Sequence, residues 1–212
     1  MLRTLARLAL DALAPRRCAA CDEVSASALC EACTTALTAS RRPPPRRHSH
    51  GIALAAFEFG EAARHVLHRG KYRGDREALR ALARLAAPRL IAAPLTPPDA
   101  MVPIPLGPRR LRQRGYNQAE EIARVLSAEA RVHVAAGLER VRETPPQANR
   151  DEVERRRNVA GAFAWRGASL CDTSLWIVDD VLTTGATSSA AVESVVRAGA
   201  ERVDIVVIAA VL

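Results

Sequence analysis

The stretch from Leu175 to Ser188, LWIVDDVLTTGATS, constrains the fold more than any other part of the chain. Its unbroken apolar run, Leu175 to Val178, fits a strand buried on both faces, which requires packed layers above and below it. The run ends on two adjacent carboxylates, Asp179 and Asp180, then gives way to a Thr-Thr-Gly-x-Thr turn that opens a helix over Ala186 to Arg197. Gly199 stands where a left-handed residue closes such a helix, and a long apolar strand follows over Val203 to Leu212. Strand, turn, helix and strand in this order form the unit of a parallel sheet with crossover helices.

Upstream segments alternate in the same way. Ile52 to Phe59 predicts a strand, Glu61 to Arg69 a helix, and Asp75 to Leu90 a second helix with Leu79, Leu82, Leu85 and Ala86 on one face. Met101 to Leu106 is a short apolar strand broken by prolines, and Gln118 to Ala130 a helix that buries Ile122, Val125 and Leu126. Further strands are expected around Leu138 to Val141 and Ala162 to Trp165. The fold class is α/β, with a doubly wound, mainly parallel sheet whose ligands bind beyond the carboxyl ends of its strands.

The Asp-Asp and Thr-Thr-Gly pair suits a sugar phosphate. A tight turn at a helix start aims backbone N–H groups and the positive end of the helix dipole at one point, and Thr183, Thr184 and Thr187 add hydroxyl donors. Gly185 permits the turn and a close approach of backbone to a phosphate. Asp179 and Asp180 can accept hydrogen bonds from a vicinal diol or hold a divalent cation through oxygen. Phosphate at one end and diol at the other describe a pentose phosphate. Paired aspartates also end strands in receiver domains, and a Thr-rich turn also serves as a plain helix cap. No Walker A loop and no G-x-G-x-x-G following a strand is present.

Before the sheet, Cys18, Cys21, Cys30 and Cys33 make a C-x2-C-x8-C-x2-C pattern. Two such pairs wrap four thiolates around a tetrahedral ion and leave no position for water, so a structural zinc knuckle is expected. The chain divides into a helix and knuckle over 1–39, a Pro/Arg-rich linker over 40–50 expected to lack regular structure, and a second domain over 51–212. Leu2, Leu5, Leu8, Ala9, Ala12 and Leu13 recur at helical spacing but are interrupted by charge, unlike a secretory core. No run approaches the ~20 apolar residues of a membrane span. A cytoplasmic location without membrane insertion is expected.

The net charge is +8, and of 31 basic side chains only Lys71 is a lysine. Residues 1–50, 51–106 and 107–158 carry +4, +3 and +4, whereas 159–212 carry −3. The imbalance suits an anionic partner, and equally a chain with a compositional preference for arginine.

With its neighbours, VDDVLTTGAT resembles the phosphoribosyl pyrophosphate (PRPP) signature of type I phosphoribosyltransferases. The knuckle, GKYRGD at Gly70 to Asp75, VPIPLGPRRLRQRGYNQAEEIAR at Val102 to Arg124, ETPPQ and RRRNVAGAF at Arg155 to Phe163 resemble the ComF family (ComFC/GntX-like) in particular. That resemblance spans nearly the whole chain and implies a type I phosphoribosyltransferase fold. It implies catalytic roles for Asp179 and Asp180, and PRPP binding by Asp179, Asp180, Val181, Leu182, Thr183, Thr184, Gly185, Ala186 and Thr187. It also implies Mg2+ bound with PRPP. A pyrophosphate loop would follow Leu106, with Arg109, Arg110, Arg112 and Arg114, whose planar guanidinium groups suit phosphate oxygens. A closing loop over Thr144 to Asn158 would carry Gln147, Arg155, Arg156, Arg157 and Asn158, which either reach a substrate or sit in solvent. Lys71 is either a phosphate contact or a surface lysine, Asn117 either a helix cap or a ligand contact.

Two functions follow. One is transfer of a ribosyl group from PRPP or a related ribose phosphate, in nucleotide metabolism or DNA uptake. The other is a non-catalytic accessory factor that binds single-stranded DNA or a competence helicase-like protein. With seven aromatic residues, an extensive base-stacking surface is not expected.

Overall fold

The computed structural model describes residues 15–142 and 159–211. After helix α1 (Glu31–Ala39) come strands β1 (Arg46–His48) and β2 (Gly51–Glu58), helices α2 (Glu61–Arg73) and α3 (Arg76–Ile91), and strand β3 (Ala100–Pro103). Helices α4 (Pro108–Arg114) and α5 (Gln118–Ala130) precede strands β4 (His133–Val134), β5 (Leu138–Arg140) and β6 (Phe163–Trp165). Strand β7 (Ser174–Leu182), helix α6 (Ala186–Arg197) and strand β8 (Arg202–Ala210) complete the order.

Continuous hydrophobicity places β7 and β8 at the centre of the six-stranded sheet β1-β2-β8-β7-β3-β4. All its pairings are parallel except β1 with β2. Alternation sends Trp176, Val178, Val206 and Ile208 to a core shared with α2, α3 and α5. Leu175, Ile177, Ile205 and Val207 point the other way, against α6 and the antiparallel pair β5–β6. Both faces are therefore covered, as expected of a doubly wound sheet.

The helices begin and end where local chemistry allows. Asp75 caps α3 by accepting from the Ala78 amide at 3.0 Å, and Leu79, Leu82, Ala86 and Leu90 form its buried stripe. Buried Glu121 on α5 pairs with Arg76 and Arg80 of α3. Burial alone would raise the Glu121 pKa, but the hydrogen bonds from Arg80 and Arg76 bring it below the ordinary value. Gly199 follows the cap of α6 with a φ of 106°, a conformation side-chain-bearing residues rarely adopt.

Three expectations need correction. The Pro/Arg-rich segment is not wholly irregular, because Arg46–His48 pairs antiparallel with β2. Its prolines stop at Pro45, and once past them the backbone can use the open edge of the sheet. The expected loop after Leu106 contains α4, with Pro108 in its first turn and Gly115 in the left-handed conformation beyond its end. The strand begun at Leu175 does not stop at Val178 but runs to Leu182, because β8 continues to pair with it through Val181 and Leu182. The helix expected near the N-terminus and the closing loop, including Gln147, Arg155, Arg156, Arg157 and Asn158, lie outside the described residues.

Candidate functional site

Because β7 extends past Val178, Asp179 and Asp180 are strand residues with side chains on alternate faces. Asp180 is 5% exposed, and its Oδ2 lies 2.6 Å from Nζ of Lys71 on α2. The Asp180 amide donates to Asp179 Oδ1 at 2.9 Å, tying the two carboxylates through the backbone. Burial, and secondarily the adjacent Asp180 charge, push the Asp179 carboxyl up to about 7.

These groups line a cavity of about 540 Å3 beyond the strand ends. Lys71 and Tyr72 enter it from α2, Arg110, Gln113 and Arg114 from α4, and Gln118 from the start of α5. Ile104, Pro105 and Leu106 supply an apolar wall, and Thr187 arrives from the first turn of α6. One wall is thus arginine-rich and another carries two carboxylates. A single lysine spans between them.

The turn between β7 and α6 has the geometry its sequence implies. Gly185 adopts a φ of 79°, in the left-handed region where a side chain would strain the backbone, and the Ser189 amide closes the first helical bond to its carbonyl at 2.8 Å. Thr183 is exposed and Thr184 and Thr187 are half-buried, whereas Leu182 and Ala186 point into the core and offer only backbone to a ligand. Arg46 holds this turn from outside: its guanidinium donates to the Thr183 carbonyl at 3.0 Å and to the Val211 carbonyl at 2.5 Å.

Lys71, Arg110, Arg114, Asp179, Asp180 and Thr187 come together at the cavity, whereas Arg109 and Arg112 are not among its lining residues. Asn117 is the α5 cap, accepting from the Ala119 amide at 3.1 Å while its Nδ2 donates to the Ile104 carbonyl at 3.0 Å. Tyr116 is buried and donates to the Gly70 carbonyl, fastening α2 to the start of α5. Sequence reasoning missed Tyr72, Gln113, Gln118, Arg140 and Arg46. Adjacency to Lys71 within GKYRGD was the available signal for Tyr72; Arg46 carried none, since its partners lie far along the chain.

The second cluster is the cysteine knuckle. The sulfurs of Cys18, Cys21, Cys30 and Cys33 all lie within 4.8 Å of one another. A tetrahedral site with metal–sulfur bonds near 2.3 Å has edges of about 3.8 Å, and Cys21 and Cys30 are 3.8 Å apart. The Cys30 amide points at Cys18 Sγ at 3.4 Å and the Cys33 amide at Cys30 Sγ at 3.5 Å, contacts that stabilise thiolates. Burial and the three neighbouring thiols push Cys33 up, whereas backbone N–H groups outweigh the burial of Cys18 and bring it to about 6. The donor set fits a metal ion such as zinc. The knuckle docks on α2 through His65 Nδ1 and the Ala20 carbonyl, 2.9 Å apart, and through Arg69, which pairs with both Asp22 and Asp75.

Fold and site together define a doubly wound α/β protein with a polar cavity at its strand ends and a four-cysteine cluster that can hold a metal. No family model matches the chain. It is 28% identical over 170 residues to the DNA utilization protein YhgH of Escherichia coli K12, covering 78% of this chain and 73% of that protein, and it matches the Salmonella typhi protein of the same name to the same extent. It is also 30% identical over 111 residues to Competence protein F of Haemophilus influenzae, covering 51% of this chain and 48% of that one. These relatives bear out the resemblance to the ComF family. Among solved structures, a purine phosphoribosyltransferase from Pyrococcus horikoshii is similar over 61% of this chain and 67% of its own, with 20% identity and a TM-score of 0.32, a superposition too weak to argue from. Among the described residues, no helix is long and apolar enough to cross a membrane.

Proposed function

We propose that the cavity binds PRPP, or a closely related ribose phosphate, in a type I phosphoribosyltransferase fold, and that the protein acts as a phosphoribosyltransferase. The observation that carries this reading is the meeting of Asp179 and Asp180, the Thr187 turn and the Lys71–Arg110–Arg114 group in one cavity. Asp179 and Asp180 accept from the ribose hydroxyls. The backbone from Val181 to Thr187, with the hydroxyls of Thr183, Thr184 and Thr187, receives the 5-phosphate. Arg110 and Arg114 face the pyrophosphate, where Mg2+ bound with it would neutralise charge on the departing group. Displacement at the ribose C1 by an acceptor then needs no covalent nucleophile from the protein, only positioning and electrostatics. Zinc in the four-cysteine cluster has a structural role.

The test is calorimetric titration with PRPP and Mg2+. Asp179→Asn combined with Asp180→Asn should weaken binding by about a hundredfold to ten-thousandfold, each of the two lost charged hydrogen bonds being worth roughly 1.5–3 kcal/mol. Unchanged affinity in a folded double variant overturns the assignment.

A second reading comes from the names of the relatives, one a DNA utilization protein and one a competence protein. Together with the +8 charge they favour a role in DNA uptake, in which the same fold serves as an accessory factor for single-stranded DNA or a helicase-like partner. Affinity for single-stranded DNA that falls steeply with salt supports it; salt-independent or absent binding removes it.

A further inference from the structure

The segment that follows α1 is exposed at Arg41, Pro44 and Pro45 but turns Arg42 and Pro43 inward. A residue before proline is held in an extended conformation, and the run Pro43-Pro44-Pro45 stiffens the backbone on which Arg42 stands. Two nitrogens of its guanidinium, Nε and Nη2, are buried, and neither has a hydrogen-bond acceptor in the protein. Nη1, by contrast, reaches solvent. Nε and Nη2 carry the N–H groups of one edge of the guanidinium plane, the edge that grips a carboxylate or phosphate with two parallel bonds. Buried donors are nearly always satisfied, so a whole unpaired edge calls for an acceptor from outside the chain.

The charge around this edge narrows the choice of acceptor. Arg89, in the last turn of α3, donates from Nη1 to the Leu37 carbonyl at 3.2 Å and from Nη2 to the Ser40 carbonyl at 2.8 Å, and it sits over the Phe57 ring at 5.1 Å. These contacts fix a second guanidinium against the linker two residues before Arg42. Burial, and after it the Arg89 charge, disfavour the cationic form of Arg42. Among the described residues neither arginine has a carboxylate partner. A single carboxylate would leave one positive charge over, whereas a phosphate near its doubly charged form answers both. Neither residue lines the carboxylate cavity, and this edge has no share in the chemistry there.

We infer that Arg42, with the charge of Arg89 behind it, forms a second anion site that takes a phosphate dianion side-on, as the free ion or as the monoester end of a small molecule. The bound group joins the linker to the end of α3 and offsets a pair of like charges that the fold has brought together.

The test is urea unfolding of the metal-loaded full chain, for the wild type, Arg42→Met and Arg42→Lys, with chloride, acetate, inorganic phosphate or glycerol 3-phosphate at equal ionic strength. Phosphate at about a hundred times its dissociation constant should lower the wild-type unfolding constant about a hundredfold beyond its effect on Arg42→Met. Phosphate taken by the cavity acts on both proteins alike, so the difference belongs to Arg42. Acetate, which fits the same edge with a single charge, should do less, and Arg42→Lys, a point charge without the fork, should keep only part of the phosphate effect. Without phosphate, Arg42→Met should be at least as stable as the wild type, because methionine removes a buried cation that has no partner. Glycerol 3-phosphate matching inorganic phosphate supports the site with a monoester as its ligand, and inorganic phosphate acting alone supports it with the free ion. Equal stabilisation of the wild type and Arg42→Met by phosphate refutes the site. So does a loss of stability in Arg42→Met without phosphate, which would mean that the guanidinium already has its acceptor.

Discussion

The cysteine cluster and the cavity solve opposite electrostatic problems. In the knuckle four like groups crowd within 4.8 Å, and burial first, then the neighbouring thiols, push Cys33 up. In the cavity opposite charges already meet, with Lys71 against Asp180. The first arrangement offers four donors to a cation, whereas the second holds itself together and leaves Asp179 raised by burial first and by the Asp180 charge second. A metal site of this kind is a condition for local folding, while a ligand site of this kind is carried by a sheet that folds for its own reasons.

Metal removal should separate the two most sharply. With a chelator, amide protection over Cys18–Cys33 should be lost almost completely by hydrogen exchange, because structural zinc supplies on the order of 10 kcal/mol to small modules. Protection in β7 and β8 should persist, since their bonds are made within the sheet. The loosening should reach α2, which the knuckle touches through His65 and Arg69, and stop there. Loss of protection throughout the sheet would instead make the knuckle part of a single cooperative unit.

The same contrast decides what could be read from the sequence. The knuckle is local: four cysteines within sixteen residues announce it by spacing alone. The strand, turn and helix around Asp179 are also local and were legible, down to Gly185 at the turn. The cavity is not local. Its Lys71, Arg114 and Asp180 meet only because the parallel order β8-β7-β3 brings the carboxyl ends of the strands together. Topology therefore chose among the many arginines of the chain, keeping Arg110 and Arg114 on the lining and leaving out Arg109 and Arg112. Lys71 looked like either a phosphate contact or a surface lysine until α2 was found to aim it at Asp180. The strand at Arg46–His48 was hidden for a similar reason, since an edge pairing depends on which sheet edge is open.

The next effect in size tests the raised carboxyl at the cavity. Asp179 is pushed up to about 7 from an unfolded value near 3.8, so between those values the folded protein holds more protons than the unfolded chain. Stability should therefore fall as pH rises from about 4 to 7 and stay level above, with a slope from this group of at most about 1.4 kcal/mol per pH unit. Asp179→Asn removes the proton and should flatten that part of the profile, measured by urea unfolding at each pH. A wild-type profile that the variant reproduces would show that Asp179 titrates in the ordinary carboxylate range. The knuckle offers no such relief, because in the metal-loaded protein its thiols have already given up their protons.

The smallest effect lies between the two regions. Arg46 belongs to the strand that follows the proline run, yet its guanidinium bridges the Thr183 and Val211 carbonyls, at the ends of β7 and β8. Both acceptors are neutral and the arginine is exposed, so solvent competes for each bond and Arg46→Ala should cost only about 1 kcal/mol of stability. Its effect on the site should be more selective than that loss. With the Thr183 carbonyl released, the turn proposed to receive the 5-phosphate gains freedom that binding must remove again, so ribose 5-phosphate affinity should fall by about three- to tenfold. Pyrophosphate, proposed to face Arg110 and Arg114 on another wall, should bind as before. Arg46→Lys keeps the charge but cannot span two carbonyls in the plane of a fork, and should recover only part of the loss. Equal weakening of both ligands would mean that Arg46 acts through general stability, and the edge strand would then be a brace for the sheet with no special hold on the turn.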